Sequence, residues 1–376
     1  MHLAPTDEQR AIQEEARRFL AAEITRERRR AWDELPGGWD DEFRRAVARL
    51  GWLGWGLPED VGGHGASLLE LGLLLEECGR AAAPSGLFAA IAGGLGIAAL
   101  GTAAQRRAWL PAVARGERLV TLAVEEAGAS VPSAFATTLR GRGRTLRLAG
   151  EKQYVLQGVD ADAFLVVARD RGGVSALLVP ADAPGVAVRA QKTFAKDRQS
   201  VVRFRDVAVP ASALLGRRGA AGPRLAALRD RLAALACADM VGGADAVLAM
   251  TTRYVCEREQ FGAKLGTFQA VQQMAADMTI ALEGARHVTR QALWRLAEGL
   301  PARREVAIAK AWTGPAYRAI TLTAHQLHGG AGYVVDHDLH RYSSRAVEAE
   351  LRFGSAEAWL EAIGDDLDLV RAPRRR

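Results

Sequence analysis

Apolar residues recur with a helical period from residue 6 to about 117, with a strand period from about 119 to 215, and with a helical period again from about 222 to 370. In the first zone Thr6, followed by Gln9, makes a capping-box pattern that opens the stretch TDEQRAIQEEARRFLAAEI. Ile12, Ala16, Phe19 and Leu20 return at helical spacing, which predicts one core-facing stripe. DEFRRAVARLGWLGWGLPEDVGGHG ends a further helix in a Gly-rich loop, and SLLELGLLLEECGRAA begins another apolar one. The middle zone breaks into six runs rich in Val and Leu: LVTLAVEE, TLRLAG, AFLVVARD, VSALLVP, GVAVRA and SVVRFRDVAV. Asp170-Arg171-Gly172-Gly173 between two of them is a hairpin signal. Short strands joined by tight turns predict a small antiparallel barrel or sandwich. The long helical segments after residue 222 predict a four-helix bundle. The expected fold class is therefore α+β, mainly α, divided into a helical domain over 1–117, a β domain over 118–216 and a helical bundle over 217–376.

Composition narrows the function classes. The chain has 376 residues, 49% hydrophobic and 25% charged, as expected of a globular protein with two or three packed regions. The net charge of +6 comes almost wholly from arginine, since Lys152, Lys192, Lys196, Lys264 and Lys310 are the only lysines. No basic stretch is interleaved with aromatics as a nucleic-acid groove requires, so no nucleic-acid partner is expected. Arg374-Arg375-Arg376 reads as a solvated tail. Cys78, Cys237 and Cys256 are odd in number and far apart, which fits neither a disulfide framework nor a thiolate metal site. With a charged N-terminus lacking a signal-peptide core, this points to a reducing, cytoplasmic setting. Leu87 to Ala104 carries no charge over eighteen residues, near the lower limit for a membrane span. Its alanine content and Gly93, Gly94, Gly96 and Gly101 make a buried helix the expectation, with no membrane partner.

HQLHGGAGYVVDHDLH, residues 325–340, holds four of the seven histidines. His325 and His328 are three apart, as are His337 and His340, with Asp336 and Asp338 between them. That is either a metal-ligand pattern or a helix ending at Gly329-Gly330 before a polar loop. Gly-Gly separates the two pairs and no H-E-x-x-H pattern occurs, which favours the helix end. The chain has no G-x-x-x-x-G-K-[ST], no G-x-G-x-x-G between strand and helix, and no G-x-S-x-G elbow.

Five segments, in order, resemble the acyl-CoA dehydrogenase family nearly end to end. They are GWLGWGLPEDVGGHGASLLELGLLLEECGR, GTAAQRRAWLPAVARGERLVTLAVEEAGAS, GEKQYVLQG, REQFGAKLGTFQAVQQMAADM and HQLHGGAGY. The resemblance implies FAD as cofactor and an acyl-CoA as substrate. It also implies electron-transfer flavoprotein as the electron acceptor, and a homo-oligomer or a hetero-oligomer with a homologous subunit. It places Val124, Glu125, Glu126 and Ser130 beside the isoalloxazine, with Tyr154 in place of the family's tryptophan. Glu125 and Leu156 stand where many members have threonines that bond the flavin ring. Arg258, Phe261, Phe268, Gln269, Gln326, Gly329 and Gly330 would serve the dinucleotide of a neighbouring subunit, with Ser355 a further cofactor contact. Glycine lets backbone N–H groups approach phosphate, Gln326 can add an amide, and Arg258 a charge-assisted bond. On this reading the histidines flank a phosphate-binding turn, and no metal is expected.

The same resemblance exposes a gap. The family's chemistry removes an α-proton with a carboxylate while the β-hydrogen leaves as hydride to the flavin, so the base must be a carboxylate of tuned pKa. Many members carry a Glu before Gly-Thr or Gly-Ser; here Phe353 precedes Gly354-Ser355. Other members place it 26 residues before Arg-x-x-Phe-Gly, which here is Leu232. Asp230 lies two residues earlier and is the candidate base, or else a helix-start acid favoured by the dipole. Arg231, Phe353 and Gly354 are the candidate substrate contacts, and Asp239 and Glu350 read as ion-pair partners or caps. Three functions stay open: a dehydrogenase with a relocated base, a base-less FAD- and CoA-site subunit of a heteromeric dehydrogenase, and other flavin chemistry on the same fold.

Overall fold

The computed structural model describes residues 5–128 and 134–367. Helices α1 (Asp7–Glu23), α2 (Arg26–Glu34), α3 (Asp41–Arg49), α4 (Leu68–Arg80), α5 (Ser85–Leu100) and α6 (Ala103–Ala114) come first. Seven strands come next: β1 (Val120–Ala123), β2 (Thr138–Arg140), β3 (Thr145–Leu156), β4 (Ala163–Asp170), β5 (Gly173–Pro180), β6 (Val186–Gln191) and β7 (Gln199–Pro210). Helix α7 (Gly222–Glu257) leads to a two-stranded hairpin, β8 (Glu259–Gln260) and β9 (Ala263–Lys264). Helices α8 (Gln269–Ala297), α9 (Arg303–His328), α10 (Leu339–Leu351) and α11 (Ala356–Asp366) complete the chain. Packing divides these elements into two compact units, one of 1–24, 67–83 and 230–376 and the other of 25–66 and 84–229.

In the second unit, α5 is buried along almost its whole length. Gly93 lies against the carbonyl of Val120, where no Cβ would fit, so the glycines serve close helix–sheet approach. The helix stops at Leu100, and Thr102 caps a new one, so the uncharged run to Ala104 is not one segment. The sheet runs β1-β4-β2-β3-β7-β6, with β5 on the other side of β4. It is mixed rather than antiparallel, because β1 and β2 both pair with β4 in parallel. Alternation reports which face a residue takes and is blind to strand direction. The three residues of β2 are too short to register as a strand pattern, so seven strands stand where six were expected. Asp170 pairs with Gly173 across a two-residue turn, as the hairpin signal required. Register shifts in β3 between Leu148 and Gly150, and between Lys152 and Val155, bend the sheet around a core of Leu146, Leu148, Phe164, Val166, Val202 and Phe204.

The helical unit is organised on α9, which packs α8, α10 and α11. The predicted capping box is present: Thr6 caps α1 and Gln9 bonds back to it, with Ala16 and Leu20 buried below. Helix α4 meets α7 where Gly79 faces the backbone of Asp239 and Gly242 faces that of Glu76. Two buried carboxylates lie at this seam. Glu77 takes hydrogen bonds from Arg17 at 2.9 and 2.8 Å and from Arg80 at 3.1 Å, while Glu76 faces Arg286 and Arg290 at 3.6 Å each. Burial pushes the Glu76 carboxyl up, and the two arginines oppose it. Helix α7 is the one helix among the described residues long and apolar enough to cross a membrane, yet 78% of that window is buried inside the protein.

Candidate functional site

The sheet unit brings a charged cluster to the end of β1. Lys152 should be a surface residue by composition, but the alternation of β3 (Leu146, Leu148, Gly150, Lys152) carries it inward, and it is fully buried. Its ammonium donates to Glu126 at 2.7 Å and to the Val124 carbonyl at 2.9 Å, and it lies 3.8 Å from the Phe135 ring centroid. Glu126 accepts further bonds from the amides of Ala136 at 2.6 Å and Thr137 at 3.1 Å. Burial lowers the Lys152 pKa to about 8 against the pull of Glu126. Burial also opposes ionisation of Glu126, but Lys152 and the two amides outweigh it and hold the carboxyl below its usual range. The pair is therefore ionic, and it fixes the strand end that carries Val124 and Glu125. Glu125 keeps an open face to solvent, although crowding by neighbouring atoms pushes its carboxyl up against the pull of Arg229 and Lys152.

Across the ladder, Gln153 N–H donates to the Glu125 carbonyl at 2.9 Å, so Glu125 and Tyr154 share one end of the sheet. Tyr154 is 53% exposed and left-handed at φ 57°, a strained setting for an aromatic residue. Its N–H donates to Gln191 Oε1 at 3.2 Å. Leu156 is half-buried, and its carbonyl accepts from the Thr121 hydroxyl at 2.6 Å. Ser130 lies outside the described residues.

A second constellation forms at one end of the helical unit. Tyr254, one turn before the end of α7, stacks on His328 at the end of α9 with ring centroids 4.4 Å apart. The two helix ends are thereby neighbours, and both carry predicted residues. Arg258 is exposed, and no carboxylate among the described residues pairs with it, so a surface ion pair does not account for it. Phe261, 91% exposed, occupies the tip of the β8–β9 hairpin with φ 57°, followed by Gly262 at φ 77°. Phe268 packs edge-on against it at 6.3 Å, and Gln269 opens α8 on the surface. Helix α9 ends at His328, as the Gly-Gly pair foretold, and Gln326, Gly329 and Gly330 face outward. Gly329 has φ 56° and ψ −139°, a backbone region essentially restricted to glycine. A Cβ at Gly329 or Gly330 would meet nothing within 4 Å, so this backbone is bare toward any ligand.

Three of the histidines of this segment make hydrogen bonds within the helical unit. His325 Nε2 lies 3.1 Å from the Ser343 hydroxyl, His328 Nδ1 lies 2.9 Å from the Ala324 carbonyl, and His340 Nδ1 lies 2.6 Å from the His337 carbonyl. Burial and the neighbouring imidazoles push His325 and His328 down. Among the described residues, no three His, Cys, Asp or Glu side chains gather into a metal-binding set.

The turn between α10 and α11 holds Phe353 at φ 62° and Gly354 at φ 111°. The Ser355 hydroxyl caps α11, accepting from the Ala358 amide at 3.4 Å. Nearby acids are committed elsewhere: Asp239 to Arg345 at 3.1 and 3.2 Å, Glu350 to Arg318 at 3.3 Å. Both match the ion-pair expectation. Asp230 does not start a helix, which corrects one of its two readings: α7 begins at Gly222, and Asp230 is half-buried two turns in, beyond the reach of the N-terminal dipole. Arg231 is exposed and Leu232 buried. Sequence reasoning passed over Lys152 with Phe135, and also Lys310, a fully buried lysine on α9. The signal for Lys152 was present in the inward phase of its strand.

A small mixed sheet set between helical stretches of chain, with a helical bundle after it, is the architecture of the acyl-CoA dehydrogenase fold. Three acyl-CoA dehydrogenase family descriptions match most of the chain: the N-terminal domain over residues 6–117, the middle domain over 121–207 and the C-terminal domain over 227–367. The chain belongs to the acyl-CoA dehydrogenase family, and its cofactor is FAD. It is 33% identical to the acyl-CoA dehydrogenase FadE27 of Mycobacterium tuberculosis over 360 residues, covering 93% of this chain and 94% of that protein. Its fold is similar to a chain of the ChsE4–ChsE5 complex from the same organism (TM-score 0.91, 30% identity, 99% of this chain and 100% of that one). It is also similar to a chain of the Tcur3481–Tcur3483 steroid ACAD (TM-score 0.88, 35% identity, 96% and 98%). The residues fit the cofactor: the bare backbone of Gly329 and Gly330, the outward Gln326 and the exposed Arg258 gather donors at one end of the bundle.

Proposed function

We propose that this chain is the FAD- and CoA-site subunit of a heteromeric acyl-CoA dehydrogenase that desaturates a bulky acyl-CoA thioester between its α- and β-carbons. Phe353 carries this reading. The turn after α10 holds an aromatic side chain where the family's proton acceptor is expected, and Asp239 and Glu350 are tied into ion pairs. The similarity to chains of two-component assemblies, one of them a steroid enzyme, supports both the heteromer and the bulky substrate class.

In this proposal, FAD when bound supplies the acceptor for the hydride leaving the β-carbon. Tyr154 covers the ring, and the Glu126–Lys152 pair holds the strand end bearing Val124 and Glu125. Arg258, Gln326 and the N–H groups of Gly329 and Gly330 bind the pyrophosphate of a neighbouring subunit's cofactor, with Phe261, Phe268, Gln269 and Ser355 lining it. Phe353, Gly354 and Arg231 border the thioester, and a carboxylate of the partner subunit takes the α-proton. The working regions are 1–117, 118–216 and 217–376, the setting is cytoplasmic, and electron-transfer flavoprotein reoxidises the assembly.

A second reading rests on Asp230, half-buried on α7, as a relocated base in a self-sufficient enzyme. One experiment separates them. The chain is expressed alone and with a Glu-bearing homologue, and each preparation is titrated anaerobically with acyl-CoAs while the flavin band is followed. Bleaching only in the co-expressed assembly, unchanged by Asp230→Asn, is the expected result. Bleaching by the lone chain, abolished by Asp230→Asn, would overturn the subunit assignment.

A further inference from the structure

Helix α10 ends against a buried cation. Lys310, in the second turn of α9, is 1% exposed. Its ammonium donates to the carbonyls of Ala349 and Glu350 at 3.1 Å each, within the last turn of α10. Those carbonyls lack intrahelical partners, and a cation there also meets the negative end of the helix dipole. No carboxylate among the described residues forms an ion pair with Lys310. Burying a lysine with only main-chain acceptors is unfavourable, and hydrophobic packing would be more stable unless the position of those carbonyls matters.

The strained turn comes directly after those carbonyls. Arg352 leaves the helix in an extended conformation, Phe353 is left-handed at φ 62°, and the Gly354 amide closes on the Leu351 carbonyl at 3.0 Å. A bulky residue in the left-handed region is strained and persists only where its surroundings fix it. On the α9 side the approach is close: a Cβ on Gly314 would come within 2.9 Å of Glu350 Cγ. We propose that Lys310 is a positioning residue that anchors the end of α10 and so holds the Phe353–Gly354 turn in the geometry that borders the acyl thioester. The thioester part of this statement rests on the function proposed above; the anchoring of the turn does not.

The anchor has a pH signature. Burial lowers the Lys310 pKa to about 8. The groups facing it are Cys237 of α7, whose thiol burial pushes up to about 11, Glu348 and Glu350 of α10, and Arg352 just after that helix. Below about pH 8 the ammonium is charged in folded and unfolded chains alike. Between there and 10.5 only the unfolded chain keeps the proton, so this group's contribution to global stability rises with pH across that window and is lowest below it, where the folded chain holds a buried charge. Its hold on the turn moves the opposite way, because the neutral amine no longer complements the helix dipole. A merely structural lysine would not separate the two trends.

The test is backbone hydrogen exchange of residues 351–356, corrected for intrinsic rates, on the intact FAD-loaded assembly at pH 7 and pH 9, with acyl-CoA affinity measured in parallel. Protection in the wild type should fall roughly threefold to thirtyfold between the two pH values while the α9 core stays protected. Lys310→Met should show the low value at both, and Lys310→Arg should keep its protection at pH 9. If Lys310→Met does not fold, the wild-type profile and Lys310→Arg decide. Protection unchanged from pH 7 to 9 in the wild type, or a fully protected turn in Lys310→Met, would overturn the anchor. Failure of the wild type to bind any acyl-CoA would instead sink the thioester reading and leave the exchange result standing.

Discussion

The two buried lysines behave differently because their partners differ. Lys152 faces the carboxylate of Glu126, so removing it leaves a charge without a counter-ion. Lys152→Met should cost roughly 3–5 kcal/mol in urea unfolding, and the double variant with Glu126→Gln should recover part of that loss. A double variant no more stable than Lys152→Met would show that the pair is not coupled. Glu126 sets the acid side. Its folded pKa lies below 4.5, so its stabilisation is complete above that pH and fades as pH falls through the folded value. Some of this was legible beforehand. The inward phase of Leu146 and Leu148 marks Lys152 as buried, but nothing in the chain says that Glu126, twenty-six residues away, meets it. The Phe353 departure was legible outright, since it needs only a motif and a missing carboxylate.

At the level of elements, local rules read well and long-range ones did not. The Thr6–Gln9 box, the Asp170–Gly173 hairpin and the end of α9 at Gly329 are each decided by a few neighbouring residues. Strand direction and the pairing of β4 with β1 and β2 depend on partners outside the local stretch of chain, and period-two alternation cannot encode them. The Gly-Gly turn makes a sharp element-scale prediction. Gly329→Ala must force a side chain into a glycine-only conformation and should lower stability by roughly 1–3 kcal/mol. Gly330→Ala meets open space, so its melting temperature without cofactor should match the wild type while its FAD dissociation constant rises. Unchanged cofactor affinity in Gly330→Ala would remove this turn from the binding site.

For the molecule as a whole, the exposed apolar residues argue for assembly. Phe261 is 91% exposed in a left-handed conformation at the tip of a hairpin that contributes nothing to the chain's own core. Maintaining such a residue makes physical sense if another subunit buries it. Phe261→Ser should leave the fold of the chain intact by circular dichroism, yet shift sedimentation toward smaller species and speed loss of FAD on dilution. Sedimentation identical to the wild type would place Phe261 outside any subunit contact.

The helical unit is assembled from three separate stretches of chain, 1–24, 67–83 and 230–376, with the other unit made of the stretches between them. On the ribosome, α1 and α4 therefore emerge long before α8, which supplies the arginines facing Glu76. The sheet unit can close once residue 229 is clear of the exit tunnel, whereas α1 and α4 must wait through its synthesis with the leucines of α4 uncovered. Synthesis order thus makes α4, and its run Leu73, Leu74 and Leu75, the natural point for a chaperone to grip the nascent chain.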